Sequence, residues 1–136
     1  DNGADEIDWV WNISSFKTGL PWTKIELAKA SKFIHDQQKI LKVIIETSYL
    51  TNEEIVTACK LCSDAGADFV KTSTGFSNGG AAIEHIQLMR KNLPEIVGIK
   101  ASGGIKNYLQ AKQMLEAGAE RLGTSSGVTI VKEQNG

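Results

Sequence analysis

Two stretches of this chain, Asp64-Ala-Gly-Ala-Asp-Phe-Val70 and Glu116-Ala-Gly-Ala-Glu-Arg-Leu122, share one grammar: a helix stop followed at once by a strand. Gly66 and Gly118 can take the left-handed conformation that ends a helix, and Ala67 and Ala119 allow close packing before the apolar strand. Asn2-Gly-Ala-Asp-Glu-Ile-Asp8 repeats the pattern near the start. The recurrence predicts a βα unit used several times over.

Helix starts fall between the stops. Thr51-Asn-Glu-Glu54 has a hydroxyl at the cap and a carboxylate three residues on, ahead of Ile55, Val56, Leu61 and Cys62. Asn107 can cap a helix through Ala111, Met114 and Leu115 to Gly118. Two more helices are expected over about Ala81 to Asn92, before Pro94, and Trp22 to His35, with Pro21 near the first turn. Strands are expected over Glu6–Asn12, Leu41–Glu46, Asp68–Thr72, Val97–Ala101 and Arg121–Thr124. The order is βαβαβαβαβ, which calls for a parallel sheet with right-handed crossovers, either doubly wound or part of a barrel. Asn2-Gly-Ala-Asp5 reads as the end of a helix that is not in the chain, so an upstream element is expected to be missing.

At 136 residues with 41% hydrophobic content the chain suffices for one domain with one core. A net charge of -1 gives no basic footprint for nucleic acid, and no run approaches the roughly 18 apolar residues of a membrane span. Small molecules and other subunits are the expected partners. No charged-apolar-small leader opens the sequence, which points to a cytoplasmic home. Cys59 and Cys62 form a C-x-x-C, but midway along a helical pattern rather than at a helix N-terminus. His35 and His85 show no ligand spacing toward them. We expect two half-buried thiols and no metal.

Chemistry in parallel α/β folds belongs at the carboxyl ends of the strands. Lys71 stands at one such end and Lys100 at the next. Strands about 4.8 Å apart would bring two inward ammonium groups together, and both repulsion and desolvation lower a lysine pKa. A neutral lysine amine attacks carbonyls and forms a Schiff base. The bland alternative is a lysine that snorkels out of the sheet or pairs with a carboxylate. After these strands come Thr72-Ser-Thr-Gly75, Ser102-Gly103-Gly104 and Gly123-Thr-Ser-Ser-Gly127. Each alone is an ordinary turn; three at one end of a sheet have the composition of a phosphate cradle. Alternation in Glu6-Ile-Asp-Trp-Val-Trp-Asn12 puts Asp8, Val10 and Asn12 on one face and Ile7, Trp9 and Trp11 on the other, toward the helices. Asp8 can then contact a lysine, either as a proton relay or as a structural ion pair.

Gly3-Ala-Asp-Glu-Ile-Asp8, Lys42-Val-Ile-Ile-Glu-Thr47, Asp68-Phe-Val-Lys-Thr-Ser-Thr-Gly75, Gly98-Ile-Lys-Ala-Ser-Gly-Gly104 and Gly123-Thr-Ser-Ser126 together resemble the deoxyribose-phosphate aldolase family. The resemblance implies a class I, metal-free and cofactor-free aldolase on a TIM (β/α)8 barrel. Its reaction would be the reversible cleavage of 2-deoxy-D-ribose 5-phosphate to glyceraldehyde 3-phosphate and acetaldehyde. It implies that Lys71 is the Schiff-base lysine, Lys100 the lysine that perturbs it and Asp8 the aspartate working with Lys100 in proton transfer. Gly75, Gly103, Gly104, Gly123, Ser125 and Ser126 would hold the phosphate. Phe76 stands where some members carry a phosphate-side lysine, and Trp9 and Trp11 are bulkier than the Met and Ile expected there. On this reading the chain supplies five strands and about four helices of the barrel, with three N-terminal strands absent. A homo-oligomer or a complementing N-terminal barrel fragment would then complete it, and the aldolase is expected to be active only once completed, the isolated truncated chain being inactive. The alternative is a non-catalytic half-barrel scaffold that self-assembles through its open strand edges.

Overall fold

A computed structural model describes residues 3–19, 21–76 and 79–136. Its five strands are β1 (Glu6–Val10), β2 (Ile40–Ile44), β3 (Phe69–Lys71), β4 (Gly98–Ser102) and β5 (Arg121–Gly123). They form one sheet in chain order, every neighbour parallel. The helices are α1 (Ile13–Lys17), α2 (Trp22–Asp36), α3 (Asn52–Ala65), α4 (Ile83–Asn92), α5 (Tyr108–Ala117) and α6 (Gly127–Asn135). The four expected helices are there within two residues at each end. Asn2 of the first repeat lies outside the described residues, while Gly3 has the positive φ the pattern requires.

Two helices were not expected. The alternation of β1 was read through Asn12, but the strand stops at Val10 and Asn12 turns to capping, its side-chain oxygen accepting from the Ser15 amide. That cap starts the short α1. The second addition, α6, follows the last strand. The anticipated starts are built as read: Thr51 and Glu54 form a reciprocal capping box, and Asn107 accepts from the Gln110 amide. Gly66 ends α3 at φ 86°. Thr51→Ala removes one of the two capping bonds and should cost about 1 kcal/mol. Urea denaturation should show this as a midpoint lower by about 0.5 M.

The two faces of the sheet differ in kind. Leu41, Val43 and Ile45, Val70, and Ile99 and Ala101 face the helices and pack with Leu27, Ile55, Ile86 and Met89 in one core. Trp11 joins it, stacked on Phe16 with ring centroids 4.4 Å apart and its indole N–H donating to the Ile45 carbonyl. Trp9, also on that face, remains 38% exposed on the edge strand. Cys59 and Cys62 are fully buried rather than half-buried, and free. Burial pushes the Cys59 thiol up to about 12 and the Cys62 thiol higher still, so neither is a poised thiolate.

The other face is polar. Glu6, Asp8, Lys42, Phe69, Lys71, Lys100 and Arg121 alternate onto it. Arg121 of β5 pairs with Glu6 of β1, the opposite edge. Four strand spacings of about 4.8 Å would separate those edges in a flat sheet, farther than the two side chains can reach. The sheet is therefore strongly curled, with the charged face inside the curve. Among the described residues no helix is long and apolar enough to cross a membrane.

Candidate active site

The floor of the concave face is set by strand register. Lys71 and Lys100 are direct partners across β3 and β4, as their positions at successive strand ends require. Asp8 reaches Lys71 at 3.3 Å and Lys42 at 3.6 Å. Glu6 holds Lys42 at 2.8 Å and also meets Arg121, whose guanidinium lies 4.4 Å over the Phe69 ring. Hydrogen bonds from Lys42 and then Arg121 hold the Glu6 carboxyl down to about 2. Glu6 thus anchors one end of the row and Asp8 joins it to Lys71. Asp8 was expected to meet a lysine and to serve Lys100; among the described residues its ion pairs run to Lys71 and Lys42.

Lys100 has its pKa lowered, first by burial and then by the Lys71 and Lys42 ammonium groups, with Asp8 opposing. The folded chain therefore holds this proton less tightly than the unfolded chain. Unfolding takes up a proton in the window below the ordinary value of 10.5, so the contribution of Lys100 to stability rises with pH there. Lys71→Met deletes the largest charge-based cause and should move the Lys100 titration to higher pH without restoring it fully, because burial remains. Titration of the lysine 13Cε resonances reads this; no movement would show that the two ammonium groups do not sense each other.

Above the lysines opens a cleft of about 550 Å³ lined by Lys71, Thr74, Gly75, Ser102 to Lys106 and Gly123 to Ser126. All six residues read as phosphate-holding, Gly75, Gly103, Gly104, Gly123, Ser125 and Ser126, are in this wall together with Lys71. Asp8 and Lys100 lie on the strand floor beside it. Gly75, Gly103 and Gly104 have φ of 94°, 87° and 74°, where a side chain is strained. Gly123 is closely packed: a β-carbon there would come 3.0 Å from Ser102 Cβ and 3.3 Å from Lys100 Cε.

A hydroxyl network stiffens the loops. Thr72 Oγ1 donates to the Ser102 carbonyl and accepts from its amide, both at 3.0 Å, while Ser102 Oγ donates to the Ser73 carbonyl at 2.6 Å. Thr124 Oγ1 donates to the Ile105 carbonyl and accepts from the Ser126 amide. The first turn of α6 begins at this wall, adding the positive end of its dipole.

Three residues of the site escaped the sequence reading. Lys42 passes for an interruption in a buried strand until register shows it opposite Asp8. Lys106 lines the cleft as its one cation besides Lys71 among the lining residues; a base directly after Gly-Gly-Ile was the available signal. Glu46, with a left-handed backbone, binds Thr74 through both carboxylate oxygens.

The chain is similar to known proteins over nearly its whole length. The chain is 53% identical over 133 residues to the deoxyribose-phosphate aldolase of Thermococcus kodakarensis, covering 97% of this chain and 59% of that protein. It is 52% identical over 132 residues to the enzyme of that name from Lactococcus lactis subsp. cremoris, covering 97% and 60%. The chain therefore spans about three-fifths of the length of these relatives. Among solved structures, an aldolase called QR15 superposes with a TM-score of 0.89 at 43% identity, over 98% of this chain and 60% of that one. The deoxyribose phosphate aldolase of Aeropyrum pernix, described as having a unique tetrameric structure, superposes with a TM-score of 0.86 at 30% identity, over 98% and 56%. Residues 1–133 match the model of the DeoC/LacD family of aldolases, and it is to this family that the chain belongs.

Proposed function

We propose that the chain carries the Schiff-base centre of a deoxyribose-phosphate aldolase, reversibly splitting 2-deoxy-D-ribose 5-phosphate into glyceraldehyde 3-phosphate and acetaldehyde. The observation that carries this reading is the double placement of Lys71. Its amine meets Asp8 on the strand floor, and the same residue lines the glycine-rich cleft. A substrate with its carbonyl at Lys71 Nζ can thus lay its anionic tail along Gly75, Gly103, Gly104, Gly123, Ser125 and Ser126.

The unprotonated amine of Lys71 adds to the C1 carbonyl carbon, and the carbinolamine takes up a proton and loses water to give an iminium, the proton being returned when the amine is freed at the end. A base removes the proton of the C3 hydroxyl, the C2–C3 bond breaks, and its electron pair moves into the iminium to leave an enamine on Lys71. Glyceraldehyde 3-phosphate departs with C3 as its new aldehyde. The enamine takes a proton at C2, and water releases acetaldehyde and returns the amine. Asp8, 3.3 Å from Lys71, is the carboxylate in position for these proton transfers, and Lys100 is the neighbouring lysine whose lowered pKa allows it to exchange one. Electrons balance without an outside oxidant or reductant.

In this reading the curled sheet is one arc of a (β/α)8 barrel, and the remaining wall comes from another barrel segment or a second copy of the chain. Trp22 at 56% and Phe33 at 70% exposure support an assembled state, since large apolar side chains gain by being covered. The decisive test is imine capture. The chain incubated with acetaldehyde and then borohydride should carry one ethyl group on the peptide holding Lys71. Ethyl groups scattered over surface lysines, or none on that peptide once the barrel wall is complete, would refute the assignment.

A further inference from the structure

Glu46 combines two unfavourable features just beyond β2. Its backbone is left-handed, φ 55° and ψ 66°, a conformation that a side-chain-bearing residue adopts only at a cost. Its carboxylate is also taken out of water, the residue being 6% exposed. A glycine would relieve the first and an apolar residue the second. What the carboxylate obtains is Thr74: one oxygen accepts the Thr74 amide at 2.8 Å and the other its hydroxyl at 2.6 Å. With its proton committed to Glu46, Thr74 Oγ1 accepts the Phe76 amide at 3.2 Å. The chain is thereby pinned on both sides of Gly75, which lines the cleft three positions after Thr72. An outlier that spends stability on a bidentate grip beside a ligand cleft marks a functional constraint.

We infer that Glu46 is a positioning residue: gripping Thr74 from the neighbouring strand end, it fixes Gly75 where the anionic end of a substrate is bound. The inference rests on the proposed function and deepens it, assigning the order of the phosphate-side wall to a residue that does not itself touch the anion.

The test uses inorganic phosphate on the 136-residue chain, followed by amide NMR shifts at Gly75, Gly103 and Gly104, together with amide exchange without ligand. Glu46→Gly suits the left-handed backbone but lacks the grip. It should melt within about 5 °C of the parent. Its Thr74 and Phe76 amides should exchange at least about tenfold faster, and its phosphate dissociation constant should rise about tenfold. Glu46→Gln can accept the Thr74 amide and donate to Oγ1, so its phosphate affinity should stay within about threefold of the parent. If Glu46→Gly does not fold, Thr74→Val carries the test, with weakening of about threefold or more expected. Parent-like phosphate affinity in Glu46→Gly, or in Thr74→Val where that stands in, overturns the inference alone. Unchanged amide exchange does the same, as does a glutamine variant no better than glycine. A parent chain showing no phosphate shifts at the three glycines overturns the functional reading, and this inference with it.

Discussion

Lys71→Arg is expected to abolish borohydride-dependent capture of acetaldehyde while leaving the fold intact. Arginine keeps the positive charge, so the pair with Asp8, 3.3 Å away in the parent, can re-form. Its guanidinium stays protonated in any usable pH range and cannot add to a carbonyl. Loss of the attacking group itself should lower the capture rate by about 1,000-fold or more, whereas loss of a neighbour acting on protons costs on the order of 10- to 100-fold. Lys100→Met should therefore still be labelled at Lys71, only more slowly. Peptide mass spectrometry on the two variants separates the roles. If the Lys71→Arg chain collects its ethyl group on Lys100 at the parent rate, the roles of nucleophile and neighbour must be exchanged.

The second large effect is expected from one methyl group. In Gly80→Ala the new β-carbon would lie inside contact distance of the Gly103 carbonyl oxygen and 2.5 Å from its carbon. Both are backbone atoms, so no side chain can swing aside. The same two segments are tied by the Ala81 amide, which donates to the Gly103 carbonyl at 3.0 Å. Forcing them apart should cost about 1–3 kcal/mol in thermal or urea unfolding. It should also weaken inorganic phosphate at the cleft by about tenfold or more, since Gly103 is part of its wall. Gly127→Ala is the control: nothing lies within 4 Å of a β-carbon there, so stability should stay within about 0.5 kcal/mol of the parent. Parent-like behaviour of Gly80→Ala would mean that the two segments do not touch in solution.

The sheet and the wall of the cleft were legible because each is written locally. Helix caps, glycine stops and apolar runs occupy neighbouring residues, and the rule that chemistry collects at strand ends brings Lys71, Lys100 and three glycine-rich loops together without any distance being known. Features that depend on pairing across the sheet were not legible. Lys42 has meaning only when β1 is laid beside β2 in the register Asp8↔Lys42. Glu46 is an unremarkable acidic residue in the sequence, since nothing local marks its left-handed backbone and its partner Thr74 belongs to the next strand's loop. Asn12 shows the converse error. Alternation carried it on as strand, and the stronger local preference of an asparagine for a cap prevailed.

Strand order equal to chain order has a consequence for synthesis. Each new strand pairs with the one made immediately before it, so the sheet can grow as the chain emerges, without waiting for distant residues. Among the described ion pairs Glu6–Arg121 spans the most chain, joining the first strand to the last. It cannot form until β5 has been made, and its closure would be the late event by which a growing ribbon acquires its final curvature.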